Sequence, residues 1–286
     1  MSFNFLSMIW LGLSALAMLT GISTFLGAVA VAGWWLARWL GLLPAHNRLS
    51  FTVERLLAHF RQSKASPHLR KWYTWEFPTR PGLSRRLPGS RFFTELWVNR
   101  QRYIHYQGRP RQLSPNHFDS YVTLSTPEIE MLAGQLAQLG QNQQLSAYEQ
   151  LCNTLAFVQQ NIRYTDDLCL ETGRLIEYPK YPLETLVEKK GDCEDQSILA
   201  AALLAAMGYE VALLILPIHV ALGVAGFDNR PGSRVVHRAN GVRYLYTETT
   251  AANWLPGEVP LEFRGYLSSG QFEVLPVKSN NSLTRP

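Results

Sequence analysis

Three residues whose types and order could do covalent chemistry stand in the second half of the chain. Cys193 lies in Gly191-Asp192-Cys193-Glu194-Asp195, His219 in Pro217-Ile218-His219-Val220, and Glu248 in Tyr246-Thr247-Glu248-Thr249-Thr250. A thiolate is a strong nucleophile, an imidazole can carry its proton, and a carboxylate can hold that imidazole in one orientation. Cys193 would attack a carboxamide or peptide carbonyl, His219 would protonate the departing amine, and a thioester would form. Water would then complete hydrolysis, whereas an amine would complete a transfer. Each residue also has an ordinary role: a buried thiol, a satisfied core histidine, a solvated strand-edge carboxylate.

Each must be positioned by its element. Gly191 is expected to end a short helical turn. Asp192 is a good N-cap for the next helix, with Asp195 at the N3 position of a capping box. Cys193 then occupies the first helical position, where unpaired N–H groups and the helix dipole favour the thiolate. The helix runs through Ile198, Leu199, Ala202, Leu203 and Met207, a spacing that buries one face, and Gly208 stops it. Tyr209 to Leu216 and His219 to Ala225 read as two strands around Pro217, a hairpin that returns His219 towards the helix start. Arg243 to Thr250 is a third strand, carrying Glu248. The Cys193 N–H is a natural oxyanion donor. A second donor is open among Tyr178, Tyr181 and Gln159, and Trp254 is expected either to wall the cleft or to pack in the core.

These residues resemble the transglutaminase-like superfamily over roughly residues 146–260, and the flank Glu177-Tyr178-Pro179-Lys180-Tyr181-Pro182 is similar to a prokaryotic branch. The resemblance implies an α+β, papain-like core, with the cysteine-bearing helix packed on an antiparallel sheet that carries the histidine and the acid. The superfamily usually has Asp as the third member, whereas this chain has Glu248, one methylene longer. It includes cross-linking transferases, peptidases, amidases and inactive members, so the likeness speaks to machinery more than to substrate. The expected function is a cysteine peptidase or amidase acting on a protein or peptide. The alternatives are a catalytically inactive interaction or assembly module and a protein-glutamine acyltransferase.

The rest of the chain suggests a membrane. No charged side chain occurs from Met1 to Ala37, and residues 1–44 are almost continuously apolar around Gly21-Ile22-Ser23-Thr24. A spanning helix needs about 20 apolar residues, so a transmembrane helix or helical hairpin is expected there. Trp34, Trp35 and Trp39 suit the headgroup level, and Arg38 can snorkel. Arg48, Arg55, Arg61 and Lys64 follow, opposed only by Glu54, which by the positive-inside tendency puts the remaining chain in the cytoplasm.

Residues 45–125 form a basic, aromatic-rich juxtamembrane region; its first part, 45–112, carries 14 of the 27 Lys and Arg and 3 of the 22 acidic residues. Attraction to lipid headgroups accounts for that charge. Nucleic acid is not an expected partner: Trp72, Tyr73, Trp75, Phe92 and Phe93 could stack on bases, but no recognition motif accompanies them. The domain proper is read as 126–277, with helices from Pro127 and from the capping box Ser146-Ala147-Tyr148-Glu149, and 278–286 as a flexible tail. Cys152 is a buried hydrophobe, Cys169 lies in a loop, and no disulfide framework is expected. No metal site or cofactor is expected either: Asp166, Asp167, Glu171, Asp192, Glu194 and Asp195 do not match a calcium loop.

Overall fold

The computed structural model describes residues 66–80, 83, 90–166 and 178–278. The expected membrane segment at 1–44, Cys169 and the tail beyond Lys278 lie outside the described residues. Among the described residues no helix is long and apolar enough to cross a membrane.

The first elements are strands β1 (His68–Glu76) and β2 (Arg91–Asn99), an antiparallel hairpin in register from His68↔Asn99 to Glu76↔Arg91. Their alternation sorts the aromatic residues: Tyr73, Trp75 and Phe92 face the core, while Trp72, Phe93 and Trp97 face solvent with Arg70 over the two tryptophans. Helix α1 (Arg100–Gln107) and a 3₁₀ turn (Pro115–Tyr121) lead to α2 (Pro127–Asn142) and α3 (Ala147–Asn161). The Ser146–Glu149 capping box opens α3 as the sequence predicts, with Ser146 N donating to Glu149 Oε2 at 2.8 Å. Thr126 stands at the N-cap of α2 but makes no side-chain cap bond; its hydroxyl pairs with Tyr106 OH instead.

Strand β3 (Arg163–Tyr164) pairs in parallel with β4 (Lys190–Gly191), and α4 (Pro182–Glu188) lies between them in sequence. The central helix α5 (Cys193–Ala206) follows β4 directly. Helix α4 ends at Lys189, whose φ of 54° makes it the left-handed cap expected of Gly191. Gly191 is needed for space: a Cβ there would lie 2.5 Å from that of Asp195.

Five antiparallel strands form the main sheet: β5 (Val211–Leu216), β6 (His219–Ala225), β7 (Arg234–Val236), β8 (Arg243–Thr247) and β9 (Glu273–Pro276), in the order β7-β8-β6-β5-β9. Helix α6 (Leu261–Ser269) precedes β9. The fold is thus mixed α and β with an antiparallel sheet, as a transglutaminase-like core requires. β5 and β6 form the expected hairpin, Leu216 opposite His219 across Pro217-Ile218.

Helix α5 departs from the one-faced expectation, since every residue from Glu194 to Ala205 is buried. It packs against β5 and β6 on one side and against α2, α3 and α4 on the others. The small residues Ala200, Ala201 and Ala202 let neighbours approach on all sides, so the polar side that an amphipathic helix would show to water is missing. The β1–β2 hairpin contributes to the same core: Trp75 meets Phe157 of α3 edge-on at 5.2 Å and donates from Nε1 to Asn153 Oδ1 at 2.9 Å. Asn153 is fully buried and its Nδ2 already has no partner. Trp75→Phe therefore leaves a buried amide wholly unpaired and should lower unfolding stability by about 1–3 kcal/mol, read as a lower urea midpoint with an unchanged slope.

Candidate active site

Cys193 opens α5, and Asp192 caps it by accepting the Asp195 N–H at 3.4 Å. Asp195 does not close the expected capping box. Its carboxylate instead takes the Lys180 backbone N–H at 2.7 Å and the Lys180 ammonium at 2.5 Å, tying the segment before α4 to the start of α5. Asp195 is fully buried; burial pushes its carboxyl up, and the Lys180 ammonium opposes that.

The thiol also departs from expectation. Burial pushes the Cys193 thiol up, and the Glu194 and Asp192 carboxylates add to this, with a hydrogen bond from the Val220 backbone opposing. The sulfur lies 3.4 Å from Glu194 Oε2. A charge at a helix end is worth about 0.3–1 kcal/mol, less than one pKa unit, whereas loss of hydration shifts fully buried groups by up to 3–5 units, and at the part-buried Cys193 it is the largest cause. Desolvation therefore wins over the dipole. Glu194 follows the same rule: burial and then Asp192 push its carboxyl up to about 10, and its Oε1 has no partner.

His219 and Glu248 are brought together. His219 Nε2 lies 3.0 Å from Glu248 Oε2, which also accepts from Tyr246 OH at 2.9 Å. Glu248 Oε1 accepts from Thr249 N at 2.9 Å, Thr250 N at 3.0 Å and Thr250 Oγ1 at 2.7 Å. Burial alone would raise this carboxyl, but the bond to and charge of His219, with the Thr250 bonds, hold it at about 2. It is therefore an anion at neutral pH, and the longer Glu side chain reaches the histidine without loss. Phe263 stacks on the imidazole at 4.1 Å and 8°. With Nε2 engaged, Nδ1 is the ring nitrogen left for proton exchange. Val220, next to His219 on β6, supplies the backbone group that meets the sulfur.

The other candidates fall elsewhere. Gln159 Nε2 donates to the carbonyls of Glu248 at 2.9 Å and Trp254 at 3.1 Å. Both its protons are engaged, so Gln159 clasps the loop after β8 and is not an oxyanion donor. Tyr178 OH accepts from Arg111 Nη2 at 3.2 Å, and the Arg111 guanidinium covers its ring. Tyr181 is sandwiched between Tyr106 and Tyr121 at 4.9 and 4.8 Å. Both tyrosines belong to a cluster around the buried Arg111–Glu184 ion pair, where Arg111 Nη2 meets the two carboxylate oxygens at 2.6 and 2.8 Å. Their bonds and ring contacts go to that cluster and not to Cys193, His219 or Glu248.

A cleft of 560 Å³ has the buried His219 and Glu248 in its lining, with Trp254 and Tyr164 among its walls. A smaller hollow of 410 Å³ shares Trp254 with it and is lined by Arg80, Glu258 and Arg264. Tyr164 was not foreseen: it pairs with Gly191 and feels Cys193, its hydroxyl pushed up chiefly by burial and then by that group. Tyr246 had a signal, since positions 246 and 248 share one face of a strand. Phe263 had none. Among the described residues Cys152 and Cys193 are free thiols, and no three His, Cys, Asp or Glu side chains are grouped so as to hold a metal ion.

The helix-borne thiol, the strand-borne histidine and the antiparallel sheet have the form of a cysteine-peptidase type of enzyme. Residues 129–224, a third of the chain, match a family model described as a transglutaminase-like domain, and Cys193 and His219 fall inside the match. Among solved structures, a candidate cysteine protease from Cytophaga hutchinsonii is 13% identical over 73% of this chain and 68% of that one, with a TM-score of 0.32. A candidate protease from Parabacteroides distasonis is 12% identical over 65% of this chain and 43% of its own, with a TM-score of 0.31. Likenesses this distant add nothing to the chemistry argued from the site. No curated protein matches the chain.

Proposed function

We propose that this protein is a membrane-anchored, transglutaminase-like cysteine hydrolase that cleaves protein or peptide amides through Cys193, His219 and Glu248. The observation that carries the reading is the fully bonded Glu248 carboxylate held against His219 Nε2. Glu248 accepts the Nε2 proton and so keeps Nδ1 basic. Because burial raises the thiol, the proton passes to Nδ1 as the sulfur attacks, in place of a preformed thiolate–imidazolium pair. The Cys193–carbonyl bond forms, the imidazolium returns the proton to the amine nitrogen as the C–N bond breaks, and water hydrolyses the thioester. The Cys193 N–H at the start of α5 is the oxyanion donor. The charge-free stretch at residues 1–37 and the basic region after it support anchoring in a membrane with the domain on the cytoplasmic side.

The raised thiol is also the one observation favouring a catalytically silent interaction module. Release of aminomethylcoumarin from peptide amides by the detergent-solubilised chain separates the readings. Hydrolysis that disappears in Cys193→Ala supports the proposal. Incorporation of a labelled amine in place of hydrolysis supports acyl transfer. Absence of turnover, together with iodoacetamide alkylation of Cys193 that is indifferent to His219→Ala, overturns the enzyme reading.

A further inference from the structure

The most exposed large hydrophobic side chains among the described residues are Leu261, 76% exposed, and Ile218, 68% exposed. A single exposed apolar residue needs no explanation. These two come from unrelated elements, the β5–β6 turn and the first residue of α6, yet both line the cleft that holds His219 and Glu248. Ile218 directly precedes the histidine, and Leu261 lies two residues before Phe263, which stacks on that histidine. Trp254 and Pro260 continue the apolar lining. Side chains this exposed contribute little to folding. A cleft of 560 Å³ is in the usual range for a ligand site, where apolar walls give affinity and a few polar groups give orientation.

We propose that this cleft selects a substrate with a bulky aliphatic or aromatic side chain beside the amide that Cys193 attacks, and that Ile218 and Leu261 grip that side chain from opposite elements. The inference rests on the hydrolase reading above. Apolar binding energy gathered there holds the amide nitrogen within reach of His219 while Cys193 attacks the carbonyl, and an acidic side chain would face the Glu262 carboxylate on the same rim.

The test compares alkylation of Cys193 in the full chain by acetyl-leucyl and acetyl-aspartyl chloromethyl ketones. In both, the C–S bond forms as the C–Cl bond breaks, chloride leaves with the bonding pair, and the thiol proton passes to His219. Each rate is divided by the same protein's iodoacetamide rate, and the modified residue is mapped by mass spectrometry. The expected leucyl-to-aspartyl ratio is about 10-fold or more, falling towards one in Leu261→Lys and Ile218→Lys. Both positions are exposed, so these variants should fold. A ratio near one in the unsubstituted protein, or a ratio unmoved by both variants, overturns this inference while leaving the hydrolase reading standing. Failure of iodoacetamide and of both chloromethyl ketones to alkylate Cys193, together with absence of amide hydrolysis, overturns both.

Discussion

Replacing Glu248 with glutamine should lower amide hydrolysis about 10⁴-fold while the fold survives. The Thr249 and Thr250 N–H groups both point at Glu248 Oε1 and can only donate. They force the carbonyl oxygen of the substituted amide into that place and its NH₂ towards His219. His219 Nε2 must then accept, the ring proton moves to Nδ1, and the nitrogen that should take the thiol proton is blocked. Glu248→Gln should therefore be far more harmful than its size suggests, measured as kcat/KM on a fluorogenic peptide amide. The same variant carries a pH signature. The carboxyl titrates near 2 in the folded protein against an ordinary 4.5, so its contribution is present above about 4.5 and lost as pH falls towards 2. The linked stability is about 3 kcal/mol. Acid unfolding of Glu248→Gln should lack that share of the pH dependence, and unchanged acid unfolding would contradict the assignment.

Lys180→Met should cost about 3–5 kcal/mol of stability. It leaves the Asp195 carboxylate in the core with the residue-180 backbone N–H but without the lysine ammonium. For a domain of this size that loss corresponds to a fall in Tm of about 10 °C, measured by circular dichroism. The double variant Lys180→Met with Asp195→Asn should recover most of it, because a neutral amide oxygen still accepts the backbone N–H and no charge is stranded. A double variant as unstable as the single one would assign the loss to packing of the lysine stem.

What the sequence disclosed follows the range of the interactions. The Ser146 box, the Asp192 cap and the β5–β6 hairpin are made by residues within a few positions of one another, and the pattern suffices to place them. Asp195 satisfies the spacing of a capping box as well as Asn or Glu would; its real partner, Lys180, is 15 residues away, and nothing local ranks the two. Tyr178 and Tyr181 sit close to the cysteine in sequence but are drawn off by Arg111, some 70 residues earlier. The protonation of Cys193 was the least legible property, since the dipole argument uses one helix end while desolvation depends on everything packed around it. Glu248 shows the reverse: it departs from the usual Asp by one methylene, and the Thr249-Thr250 amides that receive the longer carboxylate lie next to it in the chain.

The turn between β5 and β6 has only Pro217 and Ile218 between the paired residues Leu216 and His219. Side chains alternate faces along a strand, so a one-residue slip would turn His219 away from the cleft. Over evolutionary time this corner is closed to insertions and deletions, and substrate preference can drift there only by exchange of the Ile218 side chain. The opposite rim has no such lock: residues 249–260 form a long connection into α6, so descendants of this fold can diversify by lengthening that side while the base stays in register.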